Sequence, residues 1–152
     1  GIEIGEGSAM LIAGAASSPQ LYGYLSGFGM ARDTTASVSD WGSDSKAAVA
    51  AMAAAIDDAG IRREDVDAVY ASANGNVRGD RLEGEALRAF FGASMPPVVS
   101  SKSYFGEYAA GGALQLSAAV LAVADNRLRH VLVNSLSAGG GIVCAVISRD
   151  AG

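Results

Sequence analysis

Residues 98–123 read VVSSKSYFGEYAAGGALQLSAAVLAV. The run VVSS at 98–101 gives way to a lysine, two aromatics and a glutamate, and then to a long stretch of small and apolar residues. That change of pattern predicts a short strand at 98–101 and a helix from about Glu107 to Asp125. Residues 109–123 are apolar or small on every side, so this helix is expected to lie buried between layers. A carboxylate at its head has two readings. The positive end of a helix dipole favours an anion whatever the function, and a catalytic acid is the alternative.

Working outward, the same signals recur. Residues 131–135 (VLVNS) and 142–148 (IVCAVIS) read as strands around a glycine-rich connection. Val66, Ala68, Val69 and Tyr70 make a short strand that ends in a polar loop. Asp80 opens a helix that closes on Gly92, and Ser43 or Asp44 caps another over 45–59, closed by Gly60. Residues 2–12 and 21–30 alternate like strands, GAASSP between them is a turn, and 31–42 is polar and loop-like. Strands alternating with helices imply an α/β sheet with short crossovers. The strand at 2–12 has no helix before it and reads as belonging to something upstream.

Composition removes several function classes. The 152 residues suit one domain with a real core, and half of them are hydrophobic, chiefly alanine. A net charge of -5 argues against a nucleic-acid or anionic-membrane surface, both of which need clustered Lys and Arg. One cysteine, Cys144, excludes an internal disulfide or a cysteine-built zinc site and fits a cytoplasmic protein. The longest apolar runs are broken by Gly, Gln and Ser and are too weakly hydrophobic for a membrane span. No signal peptide is visible.

The single residues yield little alone. None of the glycine clusters has the spacing of a phosphate-cradling loop. Cys144 lies mid-strand, where an inert buried thiol is expected over a nucleophile. His130, after the basic turn RLRH, is expected to be solvated. Asp80, Glu83 and Glu85 sit in the first turns of one helix, where acids favour the dipole or form a catalytic pair.

The order of the pieces carries more. GEGSAMLI, a strand ending in GFG, DDAGI with a strand ending VYASANG, GDRLEGEALRAFFG, VVSSKSYFGEYAAGGALQLSAAVLAV and VNSLSAGGG together resemble the C-terminal half of a β-ketoacyl-acyl-carrier-protein synthase of the thiolase-like superfamily. That family's fold is a duplicated α/β half, layered α/β/α/β/α, usually dimeric. The resemblance implies that residues 1–12 hold the last strand of the N-terminal half and that 21–149 form the C-terminal half. The nucleophilic cysteine of such synthases belongs to the N-terminal half, so the chain reads as a fragment, a cleavage product or one gene of a split synthase.

The departures from the family are as informative. Where the family carries a histidine in an A-H-G-T motif, this chain has Asn74, in Ala73-Asn74-Gly75-Asn76. Where it carries K-S-x-x-G-H, this chain has Lys102-Ser103-Tyr104-Phe105-Gly106-Glu107. The lysine and the D-x-x-E of Asp80 and Glu83 remain. Decarboxylative condensation needs neutral imidazoles to stabilise the enolate, and an ionised Glu107 there repels the developing negative charge. The N-S-F-G-F-G-G gate reads Asn134-Ser135-Leu136-Ser137-Ala138-Gly139-Gly140, with the gating aromatic replaced by Ala138. Two residues are missing between Asn74 and Asp80, and DNRLR at 125–129 replaces a proline-rich excursion.

A scaffold kept with both histidines lost is similar to the non-elongating chain-length factors, or ketosynthase β subunits, of type II polyketide systems. The resemblance implies a non-catalytic subunit that pairs with an active ketosynthase, with Asn134, Ala138, Gly139 and Gly140 at the acyl tunnel. It implies no bound cofactor, only the phosphopantetheine of an acyl carrier protein, with Arg62, Arg63, Arg78, Arg81 and Arg88 as the basic cluster to meet that carrier. The alternative is an acyltransferase, decarboxylase or thioesterase-like enzyme using Glu107 and a nucleophile from the missing half.

Overall fold

The computed structural model describes residues 1–14, 21–107 and 111–151. In chain order the elements are β1 (Tyr24–Arg32), α1 (Ser45–Asp58), β2 (Ala68–Tyr70), α2 (Val77–Phe91), β3 (Val98–Val99), α3 (Lys102–Phe105), α4 (Gly111–Ala124), β4 (His130–Leu136) and β5 (Gly141–Ser148). The strands form one five-stranded sheet in the order β1-β5-β4-β2-β3. The β3-β2-β4 portion is parallel, and β5 runs antiparallel to both β4 and β1.

Helices cover the two faces unequally. On one face, α1 and α2 pack Met52, Ile56, Leu87 and Phe91 against Leu132 and Val146. Alanines on α1 let it lie close to the sheet, and Gly27 and Gly29 of β1 complete the approach. A Cβ at either glycine would collide with the carbonyl oxygen of Ala55 or Ala51. Full burial of side chains such as Met52 and Leu132 is worth about 1.5–3 kcal/mol each. The other face carries α4 alone, with Ala119 and Val123 on Val131, Val133 and Ile147.

Several boundaries differ from expectation. The sheet contains no strand at 2–12: that segment makes a single bridge, Ile4 to Glu107, and leaves Ile4, Met10 and Ile12 exposed. Alternation alone makes no strand without a neighbour to hydrogen-bond. The turn expected at GAASSP falls mostly on 15–20, outside the described residues. Helix α2 starts three residues before Asp80, because the Asn76 side chain accepts from the amides of Arg78 and Gly79. The helix expected from about Glu107 to Asp125 is α4, described from Gly111 to Ala124, while Glu107 itself is bridged to Ile4 and the single turn α3 precedes it. Only one stripe of α4 is covered within this chain, and Leu121 is 56% exposed.

Strand β1 forms an edge of the sheet. The Phe28 amide on that edge donates to the Asp58 carboxylate at the end of α1 (2.9 Å).

Candidate functional site

Three connections leave the carboxyl ends of the parallel strands, where open α/β sheets place their ligands. The loop after β2 carries Asn74, the turn after β3 carries Lys102 and Glu107, and the loop after β4 runs from Leu136 to Gly140. The topology therefore gathers the residues singled out in the sequence at one end of the sheet.

Asn74, Lys102 and Glu107 touch one another. Lys102 Nζ donates to Glu107 Oε2 at 2.7 Å, and Asn74 Nδ2 donates to the same oxygen at 2.6 Å. The lysine side chain is 8% exposed and that of the glutamate 28%. Glu107 is not the first residue of the helix. Its backbone pairs instead with the N-terminal segment, its amide donating to Glu3 O (2.7 Å) and its carbonyl accepting from Gly5 N (3.1 Å). Its Oε1 nevertheless lies at the first turn of α4, 3.3 Å from where a Cβ on Gly111 would stand.

Asp80 holds the loop after β2 in place, accepting from the amides of Asn74 (3.1 Å) and Gly75 (3.0 Å). Asn74 Oδ1 in turn accepts from the Asn76 amide, which orients its Nδ2 as the donor facing Glu107.

Behind this cluster lies a second one. Glu83, 3% exposed, accepts through Oε1 from the Ser72 amide (2.9 Å) and from Asn134 Nδ2 (3.1 Å). Asn134 Oδ1 accepts from Cys144 Sγ, and Ser72 Oγ bridges the amide and carbonyl of Leu136. Burial pushes the Glu83 carboxyl above its usual range despite these donors. Burial, and then the charge of Glu83, push the Cys144 thiol to about 12, and the thiol is buried as expected. Gln115 of α4, also buried, donates to the carbonyls of Tyr70, Ala71 and Asn134. Glu83 thus belongs to the core and not to the solvated start of α2. Glu85 is instead a surface acid, paired with Arg81.

The 137–140 turn is clasped by the 33–44 loop, which sequence reading passed over as merely polar. Asp33 N donates to Gly140 O, and Gly139 N to Asp40 O. Gly140 has φ +83, and a Cβ there would strike the Asp33 carbonyl. Burial opposes ionisation of Asp33, but hydrogen bonds from Thr35 and the Asp44 amide outweigh it and hold the carboxyl below its usual range. The Asp-x-Thr spacing at 33–35 was the available signal for such a turn. Ala138 is exposed at the tip.

Four of the five arginines are already paired, Arg62 with Asp65, Arg63 with Glu64, Arg78 with Asp40 and Arg81 with Glu85. Among the described residues only Arg88 of this set has no carboxylate partner. The Arg62 hydrogen bond lowers Asp65 to about 2. His130 departs from the solvated expectation. It is half-buried, with Nδ1 2.8 Å from Ser148 Oγ, beside an open cleft of about 460 Å³ at the opposite end of the sheet. Among the described residues no group of three His, Cys, Asp or Glu is placed to hold a metal, and no helix is long and apolar enough to cross a membrane.

Comparison with known proteins gives concordant matches. Residues 22–133 match the model of the β-ketoacyl synthase C-terminal domain. The chain is 35% identical over 128 residues to the tetracenomycin polyketide synthase ketoacyl synthase beta subunit of Streptomyces glaucescens, covering 80% of this chain and 30% of that protein. Among solved structures it resembles the ishigamide ketosynthase/chain length factor (TM-score 0.79, 20% identity, 85% of this chain and 38% of that one). It also resembles a type II acyl-carrier protein in complex with its ketosynthase bound to the hexaketide, AntDE:AntF (TM-score 0.79, 19% identity, 85% and 39%). At these identities the solved structures establish the thiolase-like fold. The chain spans about a third of the length of the curated relatives it matches.

Proposed function

For a chain that belongs to the β-ketoacyl synthase family through its C-terminal domain, we propose the role of a non-condensing, chain-length-factor-type subunit. It pairs with an active ketosynthase and shapes the tunnel that receives the growing acyl chain. One observation carries this reading: Asn74 and Glu107, which the motif resemblance sets at the family's two histidine positions, are hydrogen-bonded to each other and, through Glu107, to Lys102. A carboxylate that accepts two donors on one oxygen is a poor proton donor to an enolate and a poor base toward water. The kinship with a ketoacyl synthase beta subunit supports the same reading.

The partners follow from the surfaces. Glycines 27 and 29 face α1, so Phe28 and Met30 project from the opposite face of the sheet, on the side of α4, where both stay exposed together with Leu121. An N-terminal thiolase-like half, to which residues 1–12 contribute, is the natural cover for that face. The carrier protein brings phosphopantetheine as its own group. Since four of the five candidate arginines are already matched by acids, the carrier docks mainly on the active ketosynthase.

The test is reconstitution of the ketosynthase and carrier with and without this protein, reading product length. Unchanged product length and unchanged ketosynthase stability would refute the proposal. Glu107→Gln should leave product length nearly intact, whereas a loss of turnover would favour the enzyme reading in which Glu107 is a base. Replacing Arg62, Arg63 and Arg81 by Ala should leave yield unchanged.

A further inference from the structure

Lys102 and Asn74 aim their donors at one point from different elements, the turn after β3 and the loop after β2. What they hold is the terminal carboxylate of the chain's own Glu107. Two converging N–H donors, one of them cationic and nearly buried, are the elements of a carboxylate-binding site. We propose that Asn74 and Lys102 form a small-carboxylate site that the protein keeps filled with its own glutamate. In the intact protein an incoming carboxylate-bearing group then meets a negative charge at this position and not the lysine.

The geometry supports an occupied receptor over an ordinary surface ion pair. Both donors converge on Oε2 at 2.6–2.7 Å, the short range of charge-assisted bonds. Asn74 and the backbone of Lys102 are set independently of Glu107. Asn74 is fixed by Asp80 at its amide and by Asn76 at its Oδ1, and Lys102 begins α3, whose last turn closes through the Gly106 amide on Lys102 O. The glutamate backbone is held separately by Glu3 and Gly5. Truncating the side chain therefore removes the anion and leaves Asn74 and the backbone of Lys102 in place. Glu107 is the one anionic partner of Lys102 among the described residues.

This inference concerns the same three residues as the proposed non-condensing role. Its test needs neither a ketosynthase nor a carrier, so the failure of one idea is distinguishable from the failure of the other. The purified full chain with Glu107→Ala is titrated with sodium formate and sodium acetate and followed by thermal unfolding, with sodium chloride at equal ionic strength as the control. The expected result is a saturable rise in Tm of roughly 5 °C at about 100 mM formate, with half-saturation near 10 mM. The unsubstituted protein should respond no more to formate than to chloride. Adding Lys102→Met should abolish the response, and adding Asn74→Ala should weaken it about tenfold.

Glu107→Gln keeps the volume and an acceptor oxygen, so it should fold and stay silent to formate. Should Glu107→Ala not fold in plain buffer, recovery of folding in formate supports the site. An alanine variant that stays unfolded in formate while the glutamine variant folds overturns it. So does an alanine variant whose response to formate matches its response to chloride, or survives removal of Lys102.

Discussion

Two asparagine–glutamate pairs in this protein behave differently. Asn134 and Glu83 meet at 3.1 Å inside the core, 1% and 3% exposed, with backbone amides and a thiol as further partners and no cation. Asn74 and Glu107 meet at 2.6 Å nearer the surface, with Lys102 supplying a full charge. The inner pair ties the root of the 137–140 turn to β2 and α2, and so serves the scaffold. The outer pair is the one that the proposed function sets at the family's two histidine positions. A fully buried carboxylate satisfied by fixed dipoles is hardest to replace, whereas Glu107, part of whose side chain reaches water, tolerates loss of a partner better.

Glu83→Ala should break the inner pair with the largest effect. It leaves the Ser72 amide and Asn134 Nδ2 without their acceptor, and stability measured by urea unfolding should fall by about 3–4 kcal/mol at unchanged m-value. Lys102→Met should cost less, about 2 kcal/mol, since Glu107 keeps Asn74 and some water. Asn74→Ala should cost about 1 kcal/mol.

A pH series sharpens the contrast. Glu83 is pushed up by burial, so its neutral form is favoured by folding. Its contribution is complete below the ordinary value of 4.5 and is lost as pH rises through the folded-state value. Glu83→Gln should remove that decline. His130 is pushed down, by burial first and then by Arg129, against the opposing pull of Asp65, Asp67 and Asp150. Its contribution is present above the ordinary 6.5 and is lost as pH falls through the lower folded value. His130→Gln should flatten that acid limb, the smallest effect of the set.

Sequence order conveyed much of this molecule because the alternation of β-branched runs with alanine-rich stretches is dictated by local periodicity. The helix over 45–59 and the strands at 131–135 and 142–148 lie where their residues predicted. Residues 2–12 show the limit. Their alternation satisfies the strand pattern, but pairing is a relation to another segment and no window of sequence contains it. The start of α2 moved because Asn76 is a cap only once its side chain turns back on the helix. The Lys102–Glu107 pair was within reach, since both residues were marked by their motif, yet the burial of Glu83 was not. A glutamate near a helix start reads the same whether it faces water or Asn134.

The hydrogen bond from the Phe28 amide to Asp58 has a further consequence. Strand β1 presents Phe28 and Met30 beside an open sheet edge, the combination that invites strand-to-strand aggregation. By engaging one outward amide with a carboxylate, the end of α1 removes a docking point for a foreign strand and puts a negative charge in its path. The expected consequence is that Asp58 protects this edge. Replacing it with Ala should lower soluble yield and speed the growth of thioflavin-positive aggregates while changing the unfolding midpoint little.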